Sequence, residues 1–191
     1  MGTKGHQTRE LIKSRAYLLF AEKGFSAVTM KDICEACGLS RGGLYRHYES
    51  TQQVLEDILE GTSQADTETV CESMDRGVSA WGILDDILER MRLEMVDAGH
   101  SLSFALYEYS CMCDSGFMEA QNRKAREKWG SLIDYGIQRK EFAAVNVEQM
   151  TDMILYTYQG VRMWSRMMPI KQKTAQNIVD KIRTDLERKE L

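Results

Sequence analysis

The chain is expected to be all-α. Three observations predict this. It has one proline, Pro169, in 191 residues. Apolar residues recur at helical spacing over long stretches, and no segment alternates apolar with polar between turn residues as a strand would. The fourteen glycines are scattered rather than clustered, so they read as stops between helices and not as a flexible linker. About nine helices are expected: a three-helix N-terminal domain over residues 1–50, then a larger helical domain over 51–191.

The first helix is expected over residues 8–24, "TRELIKSRAYLLFAEKG", where Ile12, Ala16, Leu19 and Phe20 make one apolar stripe and Gly24 supplies the stop. Thr29 is placed to cap the second helix, "MKDICEAC", with Asp32 three residues on at capping-box spacing. Gly38 ends it where a left-handed residue costs least, Leu39 is a buried hinge, and Ser40 caps the third helix. Two short helices joined by Gly38-Leu39-Ser40 have the layout of a helix-turn-helix. Ser50 and Gln53 form a second capping box that opens a long fourth helix to about residue 75, with Val54, Leu55, Ile58 and Leu59 inward. Further helices follow at about 79–97, 100–113, 115–140, 147–168 (stopped by Pro169) and 173–189.

Charge divides unevenly. Residues 1–50 hold eight Lys/Arg against five acids, +3, so the remainder of a chain of net charge −4 carries −7. A basic front on an acidic body points to an anionic partner at the front. No run of about 18 apolar residues spans a membrane, and the start, "MGTKGHQTRE", has no apolar segment of a signal peptide, so a cytoplasmic protein without a membrane partner is expected. The five cysteines, Cys34, Cys37, Cys71, Cys111 and Cys113, need no disulfides in such a chain. Cys34 and Cys37 lack the second ligand pair of a structural zinc site and read as small residues on the inner face of a short helix. No metal or cofactor is expected.

The third helix opens "SRGGLYRHY", and two adjacent glycines are costly in a helix, roughly 1 kcal/mol each against alanine. Their value is access. The second helix of a helix-turn-helix enters the major groove N-terminal end first, and bulky side chains on its first turn would hold the backbone away from base edges. Gly42 and Gly43 remove that bulk beside Arg41, whose guanidinium matches guanine O6 and N7. Ser40, Tyr45 and His47 are donors of the kind that bond phosphate oxygens, while Leu44 and Tyr48, one turn apart, anchor the helix from behind.

Residues 9–55 resemble the DNA-binding domain of the TetR family of transcriptional repressors, through "FAEKGF" (20–25), "TMKDICEACGLS" (29–40), "RGGLYRHY" (41–48) and "ESTQQVL" (49–55). The resemblance implies a transcriptional regulator that binds DNA through Thr29, Ser40, Arg41, Gly42, Gly43, Tyr45, Arg46 and His47. It matches small family residues to Cys34 and Cys37, and a largely structural aromatic to Tyr48. Thr51 stands where the family commonly has a lysine, so a phosphate contact there is not carried over. It also implies a homodimer on double-stranded, palindromic operator DNA, released by a small-molecule inducer held in the larger domain. A two-fold pair of short recognition helices reads more base pairs than one.

Within the larger domain, Met91, Met95, Phe104, Tyr107, Met112, Tyr156 and Trp164 are candidates to line an apolar or aromatic ligand's pocket. Ala125, Trp129, Ile133, Gly136, Met153 and Gly160 are candidates for a helical dimer interface, where small residues let helices approach. An enzyme is not expected: the sequence holds no G-x-x-x-x-G-K-[ST] or H-E-x-x-H motif, and Asp85-Asp-Ile-Leu-Glu89 reads as a solvent-facing acidic turn. Two alternatives keep the fold and change the trigger, to cysteine oxidation or to a protein partner.

Overall fold

The computed structural model describes residues 3–113 and 116–188. Among them stand nine α-helices and no strand: α1 Thr3–Lys23, α2 Met30–Cys37, α3 Arg41–Tyr45, α4 Thr51–Asp75, α5 Ala80–Val96, α6 Ser103–Met112, α7 Gly116–Gln138, α8 Val147–Ser165 and α9 Gln172–Leu186, with a single 3-10 turn at Ala98–His100 before α6. The all-α expectation holds. The bounds shift most at the front, where α1 begins at Thr3 rather than Thr8, because Gly5 weakens a helix without stopping it. The expected limits at 115 and 189 lie outside the described residues.

Packing divides the chain into two compact units whose bounds differ from the split at 50/51: Met1–Thr62 with Gly99–Met118, and Ser63–Ala98 with Glu119–Leu191. Helix α4 therefore gives its first half to one unit and its second half to the other, and α6 belongs with the helix-turn-helix.

The first unit closes on Ile12, Ala16 and Phe20 of α1, Ile33 and Cys34 of α2, Leu44 and Tyr48 around α3, and Val54, Leu55 and Ile58 of α4. Leu19 and Leu59, expected in those stripes, are half-buried at their margins. Helix α6 supplies the fully buried Tyr109, whose ring meets Phe25 edge-on at 5.4 Å and whose hydroxyl donates to Glu56 at 2.6 Å. The α1–α2 turn is held from the same side. Ser26 donates from its backbone N–H and its hydroxyl to the Glu108 carboxylate, at 3.1 and 2.6 Å. Gly24, at φ +83°, is required there, since a Cβ would lie 2.3 Å from Glu108 and 2.8 Å from the Phe104 ring.

The second unit is built on Leu84, Leu88, Met91 and Met95 of α5, Leu132 and Ile133 of α7, Ile154 of α8 and Val179 and Ile182 of α9. Polar contacts tie its helices together. Asp66 of α4 pairs with Arg90 of α5 at 2.7 Å and with Lys128 of α7. The Glu141 carboxylate accepts from the Ala80 N–H at 2.6 Å and so caps α5, while the Trp81 indole N–H donates to the Glu141 carbonyl at 3.0 Å. After α7 the chain reverses through Lys140 at φ 60°, and the Phe142 ring folds back onto Gly136.

That reversal gives a sharp stability prediction. A Cβ on Gly136 would sit 2.2–2.6 Å from the buried Phe142 ring, which is itself wedged against Trp81 at 4.7 Å. Gly136→Ala is expected to destabilise the protein by about 2–3 kcal/mol through overpacking, despite the better helix propensity. Gly130→Ala on the same helix should be neutral or slightly stabilising, because its Cβ would only touch Val147 at 3.8 Å. Chemical denaturation of the two variants side by side checks both.

Candidate nucleic-acid interface

Local chemistry builds the helix-turn-helix as the sequence predicts. Thr29, extended at φ −110° and ψ 160°, accepts the Asp32 N–H at 3.2 Å, and Asp32 accepts the Thr29 N–H at 2.8 Å, closing a capping box. Those bonds from Thr29 hold the Asp32 carboxyl below its ordinary pKa. Gly38 ends α2 at φ 63° and ψ 28°. The next two amides then close on α2's last carbonyls, Gly38 on Glu35 at 3.2 Å and Leu39 on Cys34 at 3.0 Å. Ser40 then caps α3, accepting the Gly43 N–H at 3.1 Å. The second box, at α4, forms with a changed partner: Ser50 accepts the Gln53 N–H at 3.2 Å, and the Gln53 amide oxygen accepts from Glu49 rather than from Ser50.

These caps fix which residues of "SRGGLYRHY" face out. Leu44 is fully buried and Tyr48 nearly so, as their spacing predicts. Ser40, Arg41, Gly42, Tyr45 and Arg46 are exposed, and Gly43 and His47 are half-buried. A Cβ on Gly42 would meet nothing within 4 Å, so no neighbour within the chain requires a glycine there. One on Gly43 would meet Ser40 Oγ at 3.3 Å. Neither Arg41 nor Arg46 has an ion-pair partner among the described residues, and Lys31 pairs only with Glu35 of its own helix at 3.7 Å. Thr29 is exposed with its hydroxyl engaged in the cap.

Two charged groups behind α3, and the polar role of Tyr48, escaped the sequence reading. Arg9 of α1 donates through Nε to the Tyr48 hydroxyl at 3.2 Å and to Asp57 Oδ2 at 3.0 Å, and Tyr48 donates to the same Asp57 oxygen at 2.5 Å. Arg9 also lies over the Tyr48 ring, 5.2 Å from its centroid. Burial pushes the Asp57 carboxyl up, but the bonds from Arg9 and Tyr48 outweigh it and the net shift is down. Burial and the bond to Asp57 push the Tyr48 phenol well up, so it stays a proton donor. The partners lie 39 and 48 residues apart along the chain, and no local pattern signals them.

The residues expected in a ligand pocket fall in both units. Met91 and Met95 are core of the second unit. Phe104 is packed against Gly24 in the first unit. Tyr107, Met112, Tyr156 and Trp164 are exposed, each by more than half. The interface candidates divide as well. Trp129, Ile133 and Gly136 are buried within the second unit, with Gly136 occupied by Phe142, so a partner chain cannot reach them. Ala125 is half-buried against that core, as is Met153, whereas Gly160 is exposed with open space where its Cβ would be. Among the cysteines, Cys34 is buried and Cys37 and Cys113 are half-buried. Burial pushes the thiols of Cys37 and Cys113 up, away from the reactive thiolate. Asp85 and Asp86 face solvent, and Asp85 pairs with Arg183 of α9.

Comparison with known proteins agrees with this layout. Residues 12–58 match the family model described as bacterial regulatory proteins, tetR family, which covers α2, α3 and the turn between them. The HTH-type transcriptional repressor KstR2 of Rhodococcus jostii is 29% identical over 77% of this chain and 73% of its own length. The HTH-type transcriptional regulator YfiR of Bacillus subtilis is 29% identical over 75% and 73%. The solved structure of Salmonella enterica GusR shares the fold with a TM-score of 0.70 at 21% identity, covering 97% of this chain and 98% of that one. No helix among the described residues is long and apolar enough to cross a membrane. The chain thus carries a tetR-family DNA-binding segment at its front and is similar, over about three quarters of its length, to relatives that are transcriptional regulators rather than enzymes.

Proposed function

We propose that this regulator is a homodimeric repressor that sits on a palindromic operator and leaves it when a small, largely apolar or aromatic ligand binds. The unit that holds the helix-turn-helix acts as the reading head and the other unit as the ligand-binding and dimerising body. The observation that carries the head is the one-sided exposure of α3. Leu44 and Tyr48 are buried, while Arg41, Gly42, Tyr45 and Arg46 form an outer face on which a side chain at position 42 would touch no other part of the protein. In this reading Gly42 and Gly43 admit the base-pair edges, Arg41 reads a guanine, and Ser40, Tyr45, Arg46, His47 and Thr29 hold phosphates.

For the body, support lies on α8. Tyr156, Gly160 and Trp164 follow at i, i+4 and i+8 and are all exposed, a stripe of two aromatics about a glycine on a helix whose opposite face is core. Two such stripes meeting about a two-fold axis would bury each other and set two α3 helices in register with a palindrome. This moves Tyr156 and Trp164 from pocket to interface. A ligand acts by its preference for the form that does not fit the operator, and DNA affinity falls by that preference.

The test begins with selection of bound duplexes from a random pool, then titration of Arg41→Ala and Tyr45→Ala against the selected duplex. Arg41→Ala should weaken binding by about ten- to hundredfold, as loss of one bidentate base contact does. Wild-type affinity should fall steeply from 50 to 200 mM salt. Unchanged affinity in both folded variants, or a flat salt dependence, would refute the reading.

A further inference from the structure

We propose that Arg9, Tyr48 and Asp57 are positioning residues for DNA recognition: their hydrogen-bond triad, reaching from α1 across the tail of α3 to α4, sets the angle at which α3 meets the duplex. The inference rests on the reading of α3 as the recognition helix and adds residues that touch no DNA.

Helix α3 cannot hold its own direction. It has five residues, little more than one turn, and its hydrogen bonds fix shape rather than orientation. Orientation has to come from anchors. At the front are the Ser40 cap and the hinge residue Leu39, and in the middle is Leu44, which is fully buried but apolar and so non-directional. At the rear the chain turns through His47 and Tyr48, whose amides both close on the Leu44 carbonyl, at 2.8 and 3.1 Å. Rotation about the Leu44 contact is opposed at this end by one directional device, the Tyr48 hydroxyl. It is 2.5 Å from Asp57 Oδ2 and 3.2 Å from Arg9 Nε, with the Arg9 guanidinium lying over its ring. Arg9 and Asp57 are themselves 3.0 Å apart, so the three groups close a ring of contacts between α1, the α3 tail and α4. Hydrogen bonds to charged groups are the strong and geometrically specific ones.

The charges make the inference testable by sign. Asp57 is a carboxylate in the DNA-facing unit. By electrostatics alone, removing it should strengthen binding to any duplex, since less negative charge faces the phosphates. Positioning predicts the opposite for the selected operator. The experiment uses the full chain as wild type, Tyr48→Phe, Asp57→Ala and the double variant. Each is titrated against the duplex selected from the random pool and against a scrambled duplex of equal length, with melting temperatures measured alongside and Arg41→Ala as reference. Tyr48→Phe keeps the buried ring and loses only the hydroxyl.

Each single variant should bind the selected duplex about tenfold more weakly, the size of one charge-assisted hydrogen bond. Binding to the scrambled duplex should stay within about twofold for Tyr48→Phe and hold or tighten for Asp57→Ala. The double variant should lose less than the product of the two single losses, because both remove the same bond. The inference is overturned if the operator-to-scrambled ratio is unchanged in both single variants while Arg41→Ala weakens operator binding. It is equally overturned if both duplexes weaken together in step with a fall in melting temperature. If Arg41→Ala is also without effect, the recognition-helix reading fails first and the triad's role with it.

Discussion

Replacing Gly42 with leucine is expected to leave the fold intact and remove operator binding. The two halves of that expectation come from separate observations. A Cβ at position 42 would meet nothing within 4 Å, so the added side chain enters solvent, and helix propensity favours it by up to about 1 kcal/mol. Melting temperature should hold or rise slightly. The same empty space is where the proposed major-groove floor lies, and a leucine there keeps the backbone of α3 several ångströms from base edges. Loss of direct readout takes a specific complex towards its non-specific affinity, a fall of about a thousandfold or more. Gel shift or fluorescence anisotropy against the selected duplex, with thermal denaturation of the same sample, checks both at once. A Gly42→Leu protein that still binds its operator within tenfold of wild type would show that bare backbone at this position is not what the duplex needs.

The helix-turn-helix was legible because its signals are local. The cap at Thr29, the left-handed Gly38 and the cap at Ser40 each act within three or four residues, and the structure has all three. The buried stripe of Ile12, Ala16 and Phe20 was legible for the same reason, since helical period alone puts it on one face. What could not be read is every relation between distant segments. Arg9 and Asp57 look like ordinary surface residues, and Tyr48 like an anchor with no polar partner, until the fold brings the three within 3.2 Å. Glu108 gives no local hint that it holds the α1–α2 turn 82 residues earlier.

The larger unit shows a second kind of illegibility. Trp129, Ile133 and Gly136 have the residue types and spacing of an interface, large beside small, and they are the interior of a single chain. Tyr156 and Trp164 have the types of a pocket lining and are exposed. Helical period says which residues share a face. It does not say whether that face meets the chain's own core, a ligand or a second copy, because all three select apolar residues. Gly136 makes the ambiguity concrete: its missing side chain admits Phe142 of the same chain, whereas that of Gly160 faces open space.

That open space carries the second large effect. Gly160 lies between Tyr156 and Trp164 in the exposed stripe of α8, at the point where two crossing helices would come closest. A Cβ there would meet nothing within 4 Å, so the isolated protomer of Gly160→Arg should fold as well as wild type, with a gain of up to about 1 kcal/mol from helix propensity. In a dimer through this face, two arginines related by the two-fold axis would be forced together in an apolar contact. Burying unpaired like charges costs several kcal/mol, enough to separate the chains at micromolar concentration. Gly160→Arg is therefore expected to sediment as a monomer where wild type sediments as a dimer. Its affinity for a full palindrome should fall by about a thousandfold or more, towards that for a half-site, because the second reading head is no longer held at high effective concentration. Gly160→Ala should stay dimeric and bind as wild type. Dimeric Gly160→Arg, by analytical ultracentrifugation at wild-type concentration, would place the interface on another face of the molecule.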